Sequence, residues 1–158
     1  MLYFFWVMAL CAGLFLGGQS AINSQLSTSL GQQPILAALI SFAVGTVVLL
    51  VLAKSFGQLQ FSSIANMPLQ PWWQFIGGFL GAFVVFTTVL LAPKLGIANM
   101  LLLILIGQLI SGMLIDHFGW LNMPLRPVSL SKIIGLLLMI FGLVVFFYGD
   151  ALMKRFGG

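Results

Sequence analysis

The sequence predicts an all-α integral membrane protein with five transmembrane helices, and three observations predict it. Of 158 residues, 61% are hydrophobic and 5% charged, with a mean hydropathy of +1.20; a soluble domain is about half apolar and about a quarter charged. The apolar residues come in five runs, each close to the roughly 20 residues that cross a hydrocarbon core of about 30 Å. The prolines and most of the charges fall between those runs. Residues 1–158 are therefore expected to form a single membrane domain with short connections, leaving no room for a separate catalytic domain.

The first span is expected over residues 2–22, apolar until Gln19. A signal peptide needs a basic leader and a shorter apolar core. Neither Lys nor Arg precedes this run, so a retained helix is expected. Residues 23–33 (NSQLSTSLGQQ) read as a polar turn, and Pro34 suits the first position of a second span over 34–53, where its missing N–H costs nothing. Lys54 stops that span. A long connection then leads to Trp72 and Trp73, side chains suited to the headgroup level. The third span, 72–92, is followed by Pro93-Lys94-Leu95-Gly96, a turn tight enough that the fourth span, 97–115, should return beside it. Asp116, His117 and Trp120 mark the next interface, Pro124, Arg126 and Pro127 fill the connection, and the fifth span is expected over 133–148. Asp150, Lys154 and Arg155 should end it in water. Every proline is expected at a helix boundary, as helix sterics demand.

Composition also excludes whole classes of function. The six basic residues are spread over the span ends and not gathered in a run, unlike the clustered Lys and Arg of a nucleic-acid surface. Cys11 is the single cysteine, so there is no disulfide framework and no metal-ligand spacing. One interfacial histidine with no grouped carboxylates supplies no acid/base constellation, and no enzyme is expected. The charges bear on orientation instead, because the side richer in Lys and Arg stays inside. With five spans, Lys54, Arg126 and Lys132 share one side and Lys94, Lys154 and Arg155 the other, three against three. A chain so balanced can insert both ways up, and two opposed copies would form an inverted pair.

Small and polar residues within the spans suggest how the helices are used. Ala9, Gly13 and Gly17, then Ala37, Ser41 and Gly45, then Gly77 and Gly81 recur at four-residue spacing, the pattern of close helix packing in lipid. Gly135, Gly142 and Gly149 repeat every seven residues and form a candidate dimer seam, or alternatively a packing face within the chain. Gln19 and Asn23 lie four apart on one helix face. An amide facing lipid would be unsatisfied, so Gln19, Asn23 and Gln108 are expected to face the interior and line a polar pathway, accompanied by Ser20, Ser41 and Ser111. Serine and threonine hydroxyls, including those of Thr46 and Thr88, are expected to bond between helices. No carboxylate occupies the middle of a span. Asp116 is either a coupling residue or an interfacial cap beside His117.

Several blocks carry a likeness to a known family. GGQSAINSQL at 17–26, PILAALISFAVGT at 34–46, PWWQFIGGFLGA at 71–82, APKLG at 92–96 and GQLISGMLIDHFGW at 107–120 resemble the YdcZ-like branch of the drug/metabolite transporter superfamily. The block RPVSLSKIIGLLLMIFGLVVF at 126–146 is similar to the terminal helix of superfamily members generally. This resemblance covers nearly the whole chain. It implies a five-helix half-unit in the bacterial inner membrane that pairs, as an antiparallel homodimer or with a close paralogue, into a ten-helix inverted-repeat transporter with alternating access. The small multidrug resistance relatives carry a coupling glutamate in the first helix, where this chain has Gln19 and Asn23. The expected function is a secondary transporter, exporter or exchanger, of a small polar or amphipathic metabolite, needing no cofactor and contacting membrane lipid. A passive dual-topology channel is one alternative, although no ring of charges or carbonyls is evident; a nontransporting membrane subunit is another.

Overall fold

A computed structural model describes the backbone of residues 2–156 and the side chains of residues 3–149 and 153. The order is α1 (Leu2–Ser29), α2 (Pro34–Ser55), a single turn α3 (Phe61–Ala65), α4 (Ile76–Leu95), α5 (Ile97–Phe118) and α6 (Leu130–Phe156). Short 3-10 turns lie at Met67–Leu69, Trp72–Phe75 and Trp120–Asn122. Among the described residues five stretches are long and apolar enough to cross a membrane: Tyr3–Ser29, Pro34–Ser55, Trp72–Leu95, Ile97–Phe118 and Leu130–Gly149. All five expected spans are present, and each runs further than expected at one end or both.

The largest correction concerns residues 23–29, which are helix and not turn. Polar composition does not end this helix because its hydroxyls fold back on their own backbone: Thr28 Oγ1 donates to the Ser24 carbonyl at 3.2 Å and Ser29 Oγ to the Gln25 carbonyl at 3.1 Å. Such back-bonding satisfies a hydroxyl without leaving the helix. The reversal is confined to four residues, where the Gln32 N–H donates to the Ser27 carbonyl at 2.9 Å and Pro34 opens α2. A second correction concerns Pro93, which lies inside α4. Proline removes one helical hydrogen bond, but here the helix has only Lys94 and Leu95 left to run. It stops at Gly96, whose φ of 81° favours glycine. The fifth span, α6, runs on through Phe156; the side chains of Asp150, Lys154 and Arg155, expected in water, lie outside the described residues.

The chain divides into two compact units, Met1–Ile97 and Ala98–Gly158. In the first, α1, α2 and α4 each pack against the other two. Their buried side chains are small: Ala37, Ala38 and Ala92 with Val89, joined by Ser20, Asn23, Ser27 and Thr88. Lipid tails are as apolar as leucine, so helices gain by approaching closely over small residues rather than by hiding large ones. Ala37 of the expected α2 stripe is used in this way, and a Cβ on Gly81 would meet the Phe42 ring at 3.6 Å, whereas one on Gly45 would meet nothing within 4 Å. Gly13 meets nothing within 4 Å, so the expected stripe on the first span is open there.

In the second unit, α5 ends in a left-handed turn through Gly119, Leu121 and Asn122. A Cβ on Gly119 would lie 3.4 Å from both the Leu125 side chain and the Met123 carbonyl, a site suited to glycine. The following loop is pinned to α5 by two backbone donors. The Arg126 N–H reaches the Asp116 carbonyl at 2.7 Å, and the Val128 N–H reaches His117 Nδ1 at 3.1 Å.

The contrast between Ala37, which is fully buried, and Gly13 can be tested directly. Ala37→Leu should overpack the α1–α2–α4 contact and cost about 1 to 3 kcal/mol, read as a lowered unfolding midpoint in detergent. Gly13→Ala should leave stability unchanged or raise it by up to about 1 kcal/mol.

Candidate functional site

Ser20, Asn23 and Ser27 occupy positions i, i+3 and i+7 of α1, one face of a helix, and all three are buried, Ser20 to 1% exposure and Asn23 to 5%. The Ser20 hydroxyl donates to the Leu16 carbonyl at 2.8 Å, and Thr88, buried on α4, donates to the Val85 carbonyl at 2.8 Å. Asn23 reaches another helix: its Nδ2 donates to Ser41 Oγ on α2 at 3.1 Å. Among the described residues no buried side-chain nitrogen or oxygen lacks a partner. The expectation that hydroxyls bond between helices thus holds for Ser41 and fails for Thr46, Thr88 and Ser111. Thr46 donates to the Phe42 carbonyl at 2.8 Å and Ser111 to the Gln108 carbonyl at 3.0 Å. A short hydroxyl reaches its own helix more easily than a neighbouring one.

Two cavities flank the Asn23–Ser41 bond along these helices. On the Gln19 side, a cleft of about 180 Å³ is lined by Gln19, Ser41, Phe42, Thr46 and Leu49. On the other side, a smaller cavity of about 90 Å³ is lined by Ser24, Ser27, Thr28 and Gln32 from α1 and its turn, with Lys94 from α4. Gln19 itself is exposed, so the expectation that both first-span amides face the interior is only half met. Four residues turn an α-helix about 40° beyond one full revolution, enough to carry Gln19 off the edge of the buried stripe while Asn23 stays within it.

Gln108 and Ser111 on α5 are also exposed, against the expectation of an interior position. Gln108 lines a groove of about 590 Å³ together with Asp116 and, from α6, Lys132 and Gly135. Asp116 is half-buried, and its backbone carbonyl holds the loop through Arg126. His117 fixes the same loop through Val128 and meets the Phe118 ring edge-on at 4.8 Å; Phe118 in turn stacks on Trp120 at 5.1 Å. A Cβ on Gly135 or Gly142 would find nothing within 4 Å, and one on Gly149 would meet only Val145 of its own helix, at 3.6 Å.

The candidate residues therefore form two clusters, one in each unit: Gln19, Ser20, Asn23 and Ser41 in the first, Gln108 and Asp116 in the second. Two further residues carry no sequence signal of a site. The polar run 23–33 hides Ser27 in what reads as a turn. Lys132 was read only as a topological charge, although it lies on one α6 face with Gly135 and Met139.

The model of the family described as "Putative inner membrane exporter, YdcZ" matches residues 4–145. The inner membrane protein YdcZ of Escherichia coli strain K12 is 34% identical over 71 residues, covering 45% of this chain and 47% of that relative. The chain thus matches about half the length of this curated relative. No solved structure matches.

The link between α1 and α2 is open to a double-mutant cycle. Asn23→Ala and Ser41→Ala should show a coupling energy of about 0.6 kcal/mol, and no more than about 1.7, in reversible unfolding from bicelles. A coupling of zero would mean that the 3.1 Å contact contributes nothing to holding these helices together.

Proposed function

Because the chain belongs to the YdcZ family of inner-membrane exporters, we propose that it is a secondary transporter, exporter or exchanger, of a small polar or amphipathic metabolite. It works by alternating access as an antiparallel homodimer. The observation that carries this reading is the pairing of a buried amide, Asn23 bonded to Ser41, with a second amide, Gln19, lining a cleft one turn away. Neutral amides select a substrate because the wrong molecule leaves buried donors and acceptors unpaired. Asp116 sits near the end of α5, two residues before its last, a position for assisting at the mouth of the pathway rather than relaying protons across its middle.

Three observations support the second copy. Gln19 and Gln108 are exposed on helices apolar enough to span the bilayer, and an amide facing hydrocarbon is costly; an opposed partner covers both. The three-against-three distribution of basic residues allows both orientations. Of the seam glycines Gly135, Gly142 and Gly149, Gly142 has open space above it and offers the partner a smooth face on α6 beyond the groove that Gly135 lines.

Transport should then depend on amides more than on charge. Losing one hydrogen bond costs about 0.5 to 1.5 kcal/mol, and about 3 where a buried group is left unsatisfied. Asn23→Ala and Gln19→Ala should accordingly slow substrate flux in proteoliposomes by several-fold to about a hundred-fold, while Asp116→Asn keeps a measurable fraction of it. Wild-type flux in both amide variants beside an inactive Asp116→Asn would reverse the assignment.

Orientation supplies a separate test. Wild-type chains carrying C-terminal reporters should appear on both sides of the membrane, and one lysine added to either set of loops should drive nearly all copies one way. A single orientation in the wild type would rule out the antiparallel pair.

A further inference from the structure

The groove between α5 and α6 has a charged end and an apolar length. Asp116 is the third residue from the end of α5 and Lys132 the third residue of α6, so both lie where spans meet the headgroup region, at the level marked by Trp120 stacked on Phe118. From Asp116 the groove runs back along the α5 stripe of Gly112 and Gln108, eight residues or about 12 Å at 1.5 Å per residue. That depth approaches one leaflet of acyl chain, about 15 Å, half of a 30 Å core. Leu109 and Met113 line it on α5, and Leu136 and Met139 on α6. Space along it comes from Gly112 and Gly135, where an added Cβ would meet nothing within 4 Å.

Asp116 and Lys132 both line this groove, yet among the described residues neither is ion-paired. The loop bonds from Arg126 and Val128 hold the C-terminal end of α5 beside the chain that leads into α6. The groove thus presents one anion and one cation at headgroup depth, with an apolar track below them. From this geometry we infer that it is a binding site for a zwitterionic phospholipid with a primary ammonium headgroup, of the phosphatidylethanolamine type. The lipid phosphate pairs with the Lys132 ammonium, the lipid ammonium donates to the Asp116 carboxylate, and an acyl chain lies along Leu109, Met113, Leu136 and Met139.

The charges also explain selection among lipids. Charge-assisted hydrogen bonds are the strong ones. A phosphatidylglycerol headgroup satisfies Lys132 but brings no cation to Asp116. A phosphatidylcholine headgroup brings a cation without an N–H to donate. Only the ethanolamine headgroup completes both contacts.

The test is native mass spectrometry of the full-length protein in neutral detergent with an equimolar mixture of phosphatidylethanolamine, phosphatidylglycerol and phosphatidylcholine. The wild type should retain one phosphatidylethanolamine per chain with a preference of about fivefold, the scale of one juxtamembrane charge. Lys132→Gln should lose retained phospholipid, and Asp116→Asn should bind phosphatidylglycerol as well as phosphatidylethanolamine. Gly135→Leu, checked for folding by circular dichroism, should fill the groove and exclude lipid; if it fails to fold, the two charge variants decide. Equal retention of all three lipids by the wild type overturns the inference, as does an unchanged preference in both charge variants. Displacement of the lipid by an equal concentration of phosphoethanolamine without acyl chains would overturn the lipid assignment in favour of a small soluble zwitterion.

Discussion

Within the hydrocarbon core there is no water to satisfy a polar group, so each one must find its partner inside the protein. Helical backbone meets that demand along every span, and the short hydroxyls meet it on their own helix, as Ser20, Thr46, Thr88 and Ser111 do. Asn23 donates instead to a neighbouring helix, and its bond to Ser41 joins α1 to α2 at the level between the two cavities of the first unit. The same demand lets α1 carry the polar run Asn23 to Ser29 without breaking.

Close packing in this chain is achieved with small side chains and leaves much surface uncovered. The buried residues of α1, α2 and α4 are mainly alanine, serine and threonine with Asn23 and Val89, which suits helices that gain little by hiding bulk from lipid. In the most apolar part of Leu130–Gly149 no residue is buried. An amide such as Gln19 or Gln108 on such a surface is out of keeping with a solitary chain in hydrocarbon, and this mismatch is what gives the proposed second copy its physical basis.

The two clusters of polar side chains differ in chemistry. In the cluster around Asn23 the side chains of Gln19, Ser20, Asn23 and Ser41 are neutral, with Ser20 and Asn23 buried, suited to hydrogen-bond selection of a small molecule. Around Asp116 and Lys132 they are charged, lie near helix ends and line an apolar track, suited to an amphiphile. Assigning transport to the first and lipid to the second gives each cluster the ligand its dielectric surroundings favour, because charges are tolerated at the interface and costly at the bilayer centre.

The number, order and approximate place of the spans were determined by the sequence alone, because hydrocarbon thickness sets helix length and charge is excluded from the core. The blocks of residues that resemble the YdcZ-like family were equally legible. Helix ends were not: residues 23–29 look like a turn until their hydroxyls are seen bonded to carbonyls one turn back, and Pro93 looks like a boundary although α4 passes through it. Only the tertiary structure decided which of two amides four residues apart is enclosed, that Ser41 is the partner of Asn23, and that Lys132 shares a groove with Asp116. Those outcomes depend on how neighbouring helices are rotated about their axes, and a rotation of a few tens of degrees, too small for the spacing of residues along one helix to record, separates a buried amide from an exposed one.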